Sequence, residues 1–144
     1  MKFIVMIKAN EKTEAGVMPS EKLIADMMAY NEKLVEAGVM ESGEGLHPSS
    51  KGTRLSLKKN GITVTDGPFA ETKELVAGFW IWNVKSKEEA IAWAKQIPIP
   101  DDANEDEASE IEIRQIFEAE DFGEDFTPEL RAKEDKLREK ISKK

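Results

Sequence analysis

Cysteine is absent from the 144-residue sequence, and histidine occurs once, at His47. The first absence excludes disulfides, thiolate metal sites, iron–sulfur clusters and a thiol nucleophile. The second excludes a three-histidine metal centre and the paired-histidine motif of zinc peptidases, so no metal or other cofactor is expected. Long apolar runs are also missing. The longest apolar-rich stretch, Leu75 to Val84, is interrupted by Gly78 and Asn83 and falls short of the roughly 18 residues a membrane helix needs. The opening Met1 to Lys8 is too short for a secretory hydrophobic region, and no small-residue cleavage site follows it. A cytoplasmic chain with no membrane contact is therefore expected.

The net charge of −8 argues against nucleic acid as a partner, because that affinity rests on clustered Lys and Arg. The charge is unevenly placed. Residues 1–97 balance 13 basic against 13 acidic groups; residues 98–126 sum to −11, and residues 127–144 to +3. Length fits a single domain able to bury its own core without staples.

Phe3 to Ile7 is an apolar run of strand length, as expected of a central strand. The polar stretch Ala9 to Met18 leads to Ser20, a cap for a helix beginning at Glu21, with Leu23, Ile24, Met27, Met28, Leu34 and Val35 at helical spacing and Gly38 at the C-terminal cap. Val39 to Leu46 reads as a short strand weakened by Gly43 and Gly45. Thr53 to Lys58 alternates like a strand with one wet face, Asn60-Gly61 marks a hairpin, and Ile62 to Thr65 returns. Val76 to Val84 is a central strand rich in aromatics. Ser86 and Glu89 form a capping box for a second helix, with Ala90, Ile91, Trp93 and Ala94 inward and Pro98 as its stop. Glu110 to Phe117 closes as a strand, and Thr127-Pro128 opens a tail helix to about Ser142. This order predicts an α+β, ferredoxin-like split β-α-β fold with an inserted hairpin. It has an antiparallel sheet, two helices on one face and a C-terminal tail helix. The other sheet face needs a cover, so a homodimer with sheet facing sheet is expected.

Three stretches carry a family resemblance: Gly43-Glu44-Gly45-Leu46-His47-Pro48-Ser49-Ser50, then Thr65-Asp66-Gly67-Pro68-Phe69-Ala70-Glu71-Thr72-Lys73-Glu74, then Ala77-Gly78-Phe79-Trp80. Together they resemble the YCII-related proteins, in the branch named for its DGPF motif, here Asp66 to Phe69. The resemblance covers residues 1–123 and leaves a charged tail, 124–144, outside it. It implies a ferredoxin-like domain dimerising into an α+β barrel, in the broad superfamily of muconolactone isomerase-like enzymes and small monooxygenases. It further implies a histidine–aspartate pair as active site and an association with extracytoplasmic-function sigma factors.

His47 is the one imidazole, hence the natural general acid or base near neutrality. Asp66 precedes a Gly-Pro turn; either it orients His47 or it caps its own turn, and His47 in turn either works as acid or base or packs on Pro48. Glu41, Glu44, Arg54, Glu71 and Lys73 are candidates to line the same cleft, Arg54 or Lys73 meeting an anionic group. Phe69, Phe79, Trp80 and Trp82 are candidate walls, with Phe79 and Ile81 on one sheet face and Trp80 and Trp82 on the other. Ser49 and Ser50 lack a nucleophile elbow and read as loop structure. Asp102, Asn104 and Asp106 alternate as in a calcium loop, but Glu107 and Ile113 stand where that loop requires glycine and glutamate, so a solvated loop is expected. Two functions remain open. One is isomerase- or lyase-like acid–base chemistry, with His47 and Asp66, on a small organic molecule, an anion among the candidates; the other is a non-catalytic regulatory module that binds a ligand or a sigma factor. An oxidative role is disfavoured because nothing marks a haem or flavin site.

Overall fold

A computed structural model describes residues 1–104 and 108–143. Its strands are β1 (Lys2–Lys8), β2 (Met40–Gly45), β3 (Thr53–Lys58), β4 (Gly61–Asp66), β5 (Val76–Asn83) and β6 (Ile111–Gln115); its helices are α1 (Glu11–Glu14), α2 (Glu21–Glu36), α3 (Lys87–Ala94) and α4 (Pro128–Ser142). The main sheet runs β2-β5-β1-β6 with antiparallel neighbours throughout, while β3 and β4 pair only with each other. With α2 and α3 as the two crossovers, this is an antiparallel α+β architecture consistent with the ferredoxin-like arrangement, carrying an inserted hairpin and a C-terminal helix.

One face of the sheet forms the core. Phe3 and Val5 of β1 and Trp80 and Trp82 of β5 are buried together with Tyr30 and Leu34 of α2 and Ala90 of α3. The Tyr30 hydroxyl donates to the Trp93 carbonyl at 2.7 Å, tying α2 to α3. Trp80 Nε1–H donates to Asn31 Oδ1 at 2.9 Å. Gly43 lies beneath that indole: a Cβ there would stand 2.8 Å from Trp80 Cδ1, which gives the glycine-weakened β2 a packing reason. The opposite face carries Ile4, Met6, Phe79 and Ile81, each half-buried, in register across β1 and β5.

Ser20 Oγ caps α2 by accepting from Leu23 N–H. Gly38, at φ +71, ends it, and the amides of Gly38 and Val39 return to the carbonyls of Val35 and Leu34, the two-bond glycine stop. Several expectations need correction. The stretch Ala9 to Met18 contains α1, capped by Asn10, because an Asn-x-x-Thr box can hold a single turn where apolar spacing is silent. Ile91 is 37% exposed rather than inward. Helix α3 stops at Ala94, ahead of Pro98. Ser86 does cap it, but the Glu89 carboxylate accepts from Lys85 N–H instead of returning to Ser86. The register slip of β2 falls between Met40 and Ser42, and Gly43 marks a close approach of Trp80 instead of a bulge.

The largest correction concerns the hairpin. Both faces of β3 and β4 are exposed, and the aliphatic face, with Leu55 at 58%, Leu57 at 73%, Ile62 at 66% and Val64 at 61%, meets solvent. Asp101 and Asp102 of the acidic stretch pair with Lys22 and Lys12, and from the basic tail helix Arg131 reaches Glu120. Asp106 and Glu107 of the calcium-like pattern lie outside the described residues. No described helix is long and apolar enough to cross a membrane.

Candidate functional site

The chain leaves β2 at Gly45 and returns through Leu46 to Gly52 before entering the hairpin, so the 46–52 loop lies against the turn that leaves β4. Gly67 N–H donates to the Gly52 carbonyl at 2.9 Å. A side chain at Gly67 would collide with the Ser49 carbonyl, so only glycine lets the two loops pack this closely. Ser49 then acts as a rivet. Its N–H and Oγ–H donate to the two carboxylate oxygens of Glu14, at 2.9 and 2.5 Å, while its Oγ accepts from Phe69 N–H at 3.0 Å. Hydrogen bonds to a charged group are worth about 1.5–3 kcal/mol, so one serine holds α1, its own loop and the Asp66–Phe69 turn in fixed relation.

Beside these contacts lies an open hollow of about 400 Å³, with Leu46, Pro48, Leu75 and Val76 as apolar lining and His47, Lys51, Arg54, Phe69, Ser49 and Glu14 as functional lining. The Arg54 guanidinium stacks over the Phe69 ring, 3.8 Å from its centroid, a contact worth about 0.5–1 kcal/mol at an exposed site. Both Glu14 oxygens are engaged by Ser49. Glu14 keeps its charge, so the lining sets two cations, Lys51 and Arg54, against one anion, beside the His47 imidazole.

Of the residues picked out from sequence, His47, Arg54 and Phe69 meet at this hollow. Asp66 does not line it: its carboxylate accepts from Thr53 Oγ1 at 3.0 Å, across the root of the hairpin. Among the described residues no hydrogen bond joins His47 to Asp66. Glu44 stands on β2 opposite Phe79, on the sheet's open face. Glu71 and Lys73 lie in and before a 3-10 turn, Thr72–Glu74, that follows the Asp66–Phe69 turn; neither reaches the hollow. Glu41 pairs with Lys2 at 3.1 Å, away from the hollow. Trp80 and Trp82 are core, whereas Phe79 lies on the open face.

Glu14 and Lys51 escaped the sequence reading. The Asn10-x-x-Thr13 capping signal was the one local clue that Glu14 stands on a helix; its pairing with Ser49, 35 residues away, is tertiary and leaves no local trace. Among the described residues no cluster of three or more His, Asp or Glu side chains could hold a metal ion.

Residues 1–120 match the family model described as "YCII-related domain". An uncharacterised protein of Rhizobium meliloti (strain 1021) is 35% identical over 77 residues, which make up 54% of this chain and 62% of that protein. The chain thus spans less than two thirds of that relative's length.

Proposed function

The chain belongs to the YCII-related domain family, and from that premise we propose that the hollow between the 46–52 loop and the Asp66–Phe69 turn is the family domain's binding site for a small organic anion. The observation that carries this reading is that Lys51, Arg54 and His47 line a hollow with an apolar floor while both oxygens of the one lining carboxylate, Glu14, are taken up by hydrogen bonds from Ser49, leaving two cations against one anion. Arg54 presents a planar, permanently charged fork suited to a carboxylate, and its stacking on Phe69 fixes the plane of approach. A ligand whose apolar body rests on Leu46, Leu75 and Val76 would set its anionic end against that fork.

His47, exposed and bonded to no described residue, is the group that would move a proton to or from such a ligand, in chemistry of the isomerase or lyase kind. The Asp66–His47 dyad is the weaker part of the reading, since Thr53 already occupies the aspartate. The regulatory alternative, with a sigma factor as partner and the Asp66–Phe69 turn as branch signature, rests on resemblance alone. The open sheet face, with Ile4, Met6, Phe79 and Ile81 in one continuous patch, supports a homodimer closed sheet to sheet as an α+β barrel.

The binding reading is tested by thermal-shift measurements with a panel of aliphatic and aromatic carboxylates. At least one acid should raise the melting temperature of the parent chain and leave Arg54→Ala unmoved. Equal shifts for both proteins, or none for either, would contradict it.

A further inference from the structure

Two exposed apolar patches on this chain are complementary in charge. The first is the aliphatic face of the β3–β4 hairpin: Leu55 faces Val64, and Leu57 faces Ile62. The hairpin and its approach carry Lys51, Arg54, Lys58 and Lys59, and no acid stands between Lys51 and Thr65. The second lies just beyond β6. Phe117, Phe122 and Phe126 stack in series, with centroids 5.1 and 5.2 Å apart, yet Phe117 remains 68% and Phe122 52% exposed. Glu118, Glu120, Asp121, Glu124 and Asp125 lie between and beside them in sequence, with no cation from Phe117 to Phe126; Arg131 of α4 meets one of the five, Glu120, at 3.3 Å. Beside this cluster lies a hollow of about 280 Å³ lined by Gln115, Ile116, Phe117 and Asp121.

The two patches cannot meet within one chain. The hairpin leaves the sheet at the Gly45–Gly78 end of its β2 edge, whereas the aromatic cluster follows Gln115, paired with Phe3 at the other end of the β6 edge. They occupy diagonally opposite corners of the sheet. In a two-fold pair each patch is presented twice, so one chain supplies both halves of two equivalent contacts.

We infer that the hairpin is a dimer arm, whose aliphatic face seats on the acid-rimmed phenylalanine cluster of a second copy. The inference rests on the homodimer reading above and deepens it. It also bears on the hollow: Arg54 lies on β3, the hairpin forms a sheet of its own that does not pair with the main sheet, and Arg54 over Phe69 ties it to the loop beyond its root. Seating the arm on a second copy fixes the strand that carries Arg54.

The test is sedimentation equilibrium of the full chain in low salt, with circular dichroism confirming the fold of each variant. Leu57→Asp should raise the dimer dissociation constant at least about tenfold. The reversal Lys58→Glu with Lys59→Glu should weaken the dimer, as should Glu124→Lys with Asp125→Lys; carrying all four changes in one chain should restore much of the loss, because opposite charges again face each other. A parent dimer indifferent to Leu57→Asp and to both reversals would overturn the arm while leaving the sheet-to-sheet dimer standing. A parent chain that stays monomeric would remove the dimer reading itself.

Discussion

Tyr30 is the one tyrosine in the chain, and it is buried between α2 and α3 with its hydroxyl on the Trp93 carbonyl. Burial pushes its phenol well above the ordinary value of 10.0, because the phenolate would be formed away from water. The folded value lies above the unfolded one, so the stabilisation is whole below pH 10 and is lost progressively as the pH climbs from there toward the displaced value. Tyrosinate absorbance should therefore appear only together with alkaline unfolding, and Tyr30→Phe should cost about 1 kcal/mol at neutral pH from the lost hydrogen bond. A tyrosine that titrates near pH 10 in the folded chain would show that the α2–α3 contact is open. At this scale the sequence was partly legible. His47, Arg54 and Phe69 were read as candidates for one cleft because the motif stretches that carry the family resemblance lie close to them, and the three line one hollow. Glu14 could not, because its partner Ser49 is distant in sequence, and Asp66 was drawn elsewhere by Thr53, its cross-strand neighbour.

Among the elements, α2 and the hairpin were readable because their signals are local: apolar spacing with a serine cap and glycine stop in one, Asn-Gly between alternating runs in the other. What lay beyond local signals was which surface each element meets. Alternation in β3 correctly marked an aliphatic face but not that this face would stay exposed in the single chain, since period two reports sidedness and not what covers the side. The tail helix shows the same limit. Thr127 caps it and Pro128 opens it as expected, yet Leu130, Leu137 and Ile141 all remain exposed. A helix that buries nothing contributes little to the fold it follows. Ending the chain after Phe126, which keeps the phenylalanine stack, should shift the melting temperature by no more than about 2 °C, within the effect of a small change in stability. A larger fall by scanning calorimetry would mean that α4 covers part of the molecule in solution.

For the whole molecule, the uneven charge of the sequence resolves into separate tasks. The acidic stretch after α3 is met in part by Lys12 and Lys22, the acids beyond β6 alternate in sequence with three stacked phenylalanines, and Lys51 and Arg54 line the hollow. A net charge of −8 is thus compatible with a cationic binding site, because the field at a site follows the nearby groups and not the total. The claim on which this rests is that a small organic anion lies between Arg54 and His47. With one histidine in the chain, the imidazole carbon-bound protons give a signal that needs no assignment. Titrating the full chain with the carboxylate that raises its melting temperature should move those resonances saturably in the parent and leave them in place in Arg54→Ala. Imidazole signals that stay fixed while the same acid still stabilises the parent would put its binding elsewhere and contradict the account.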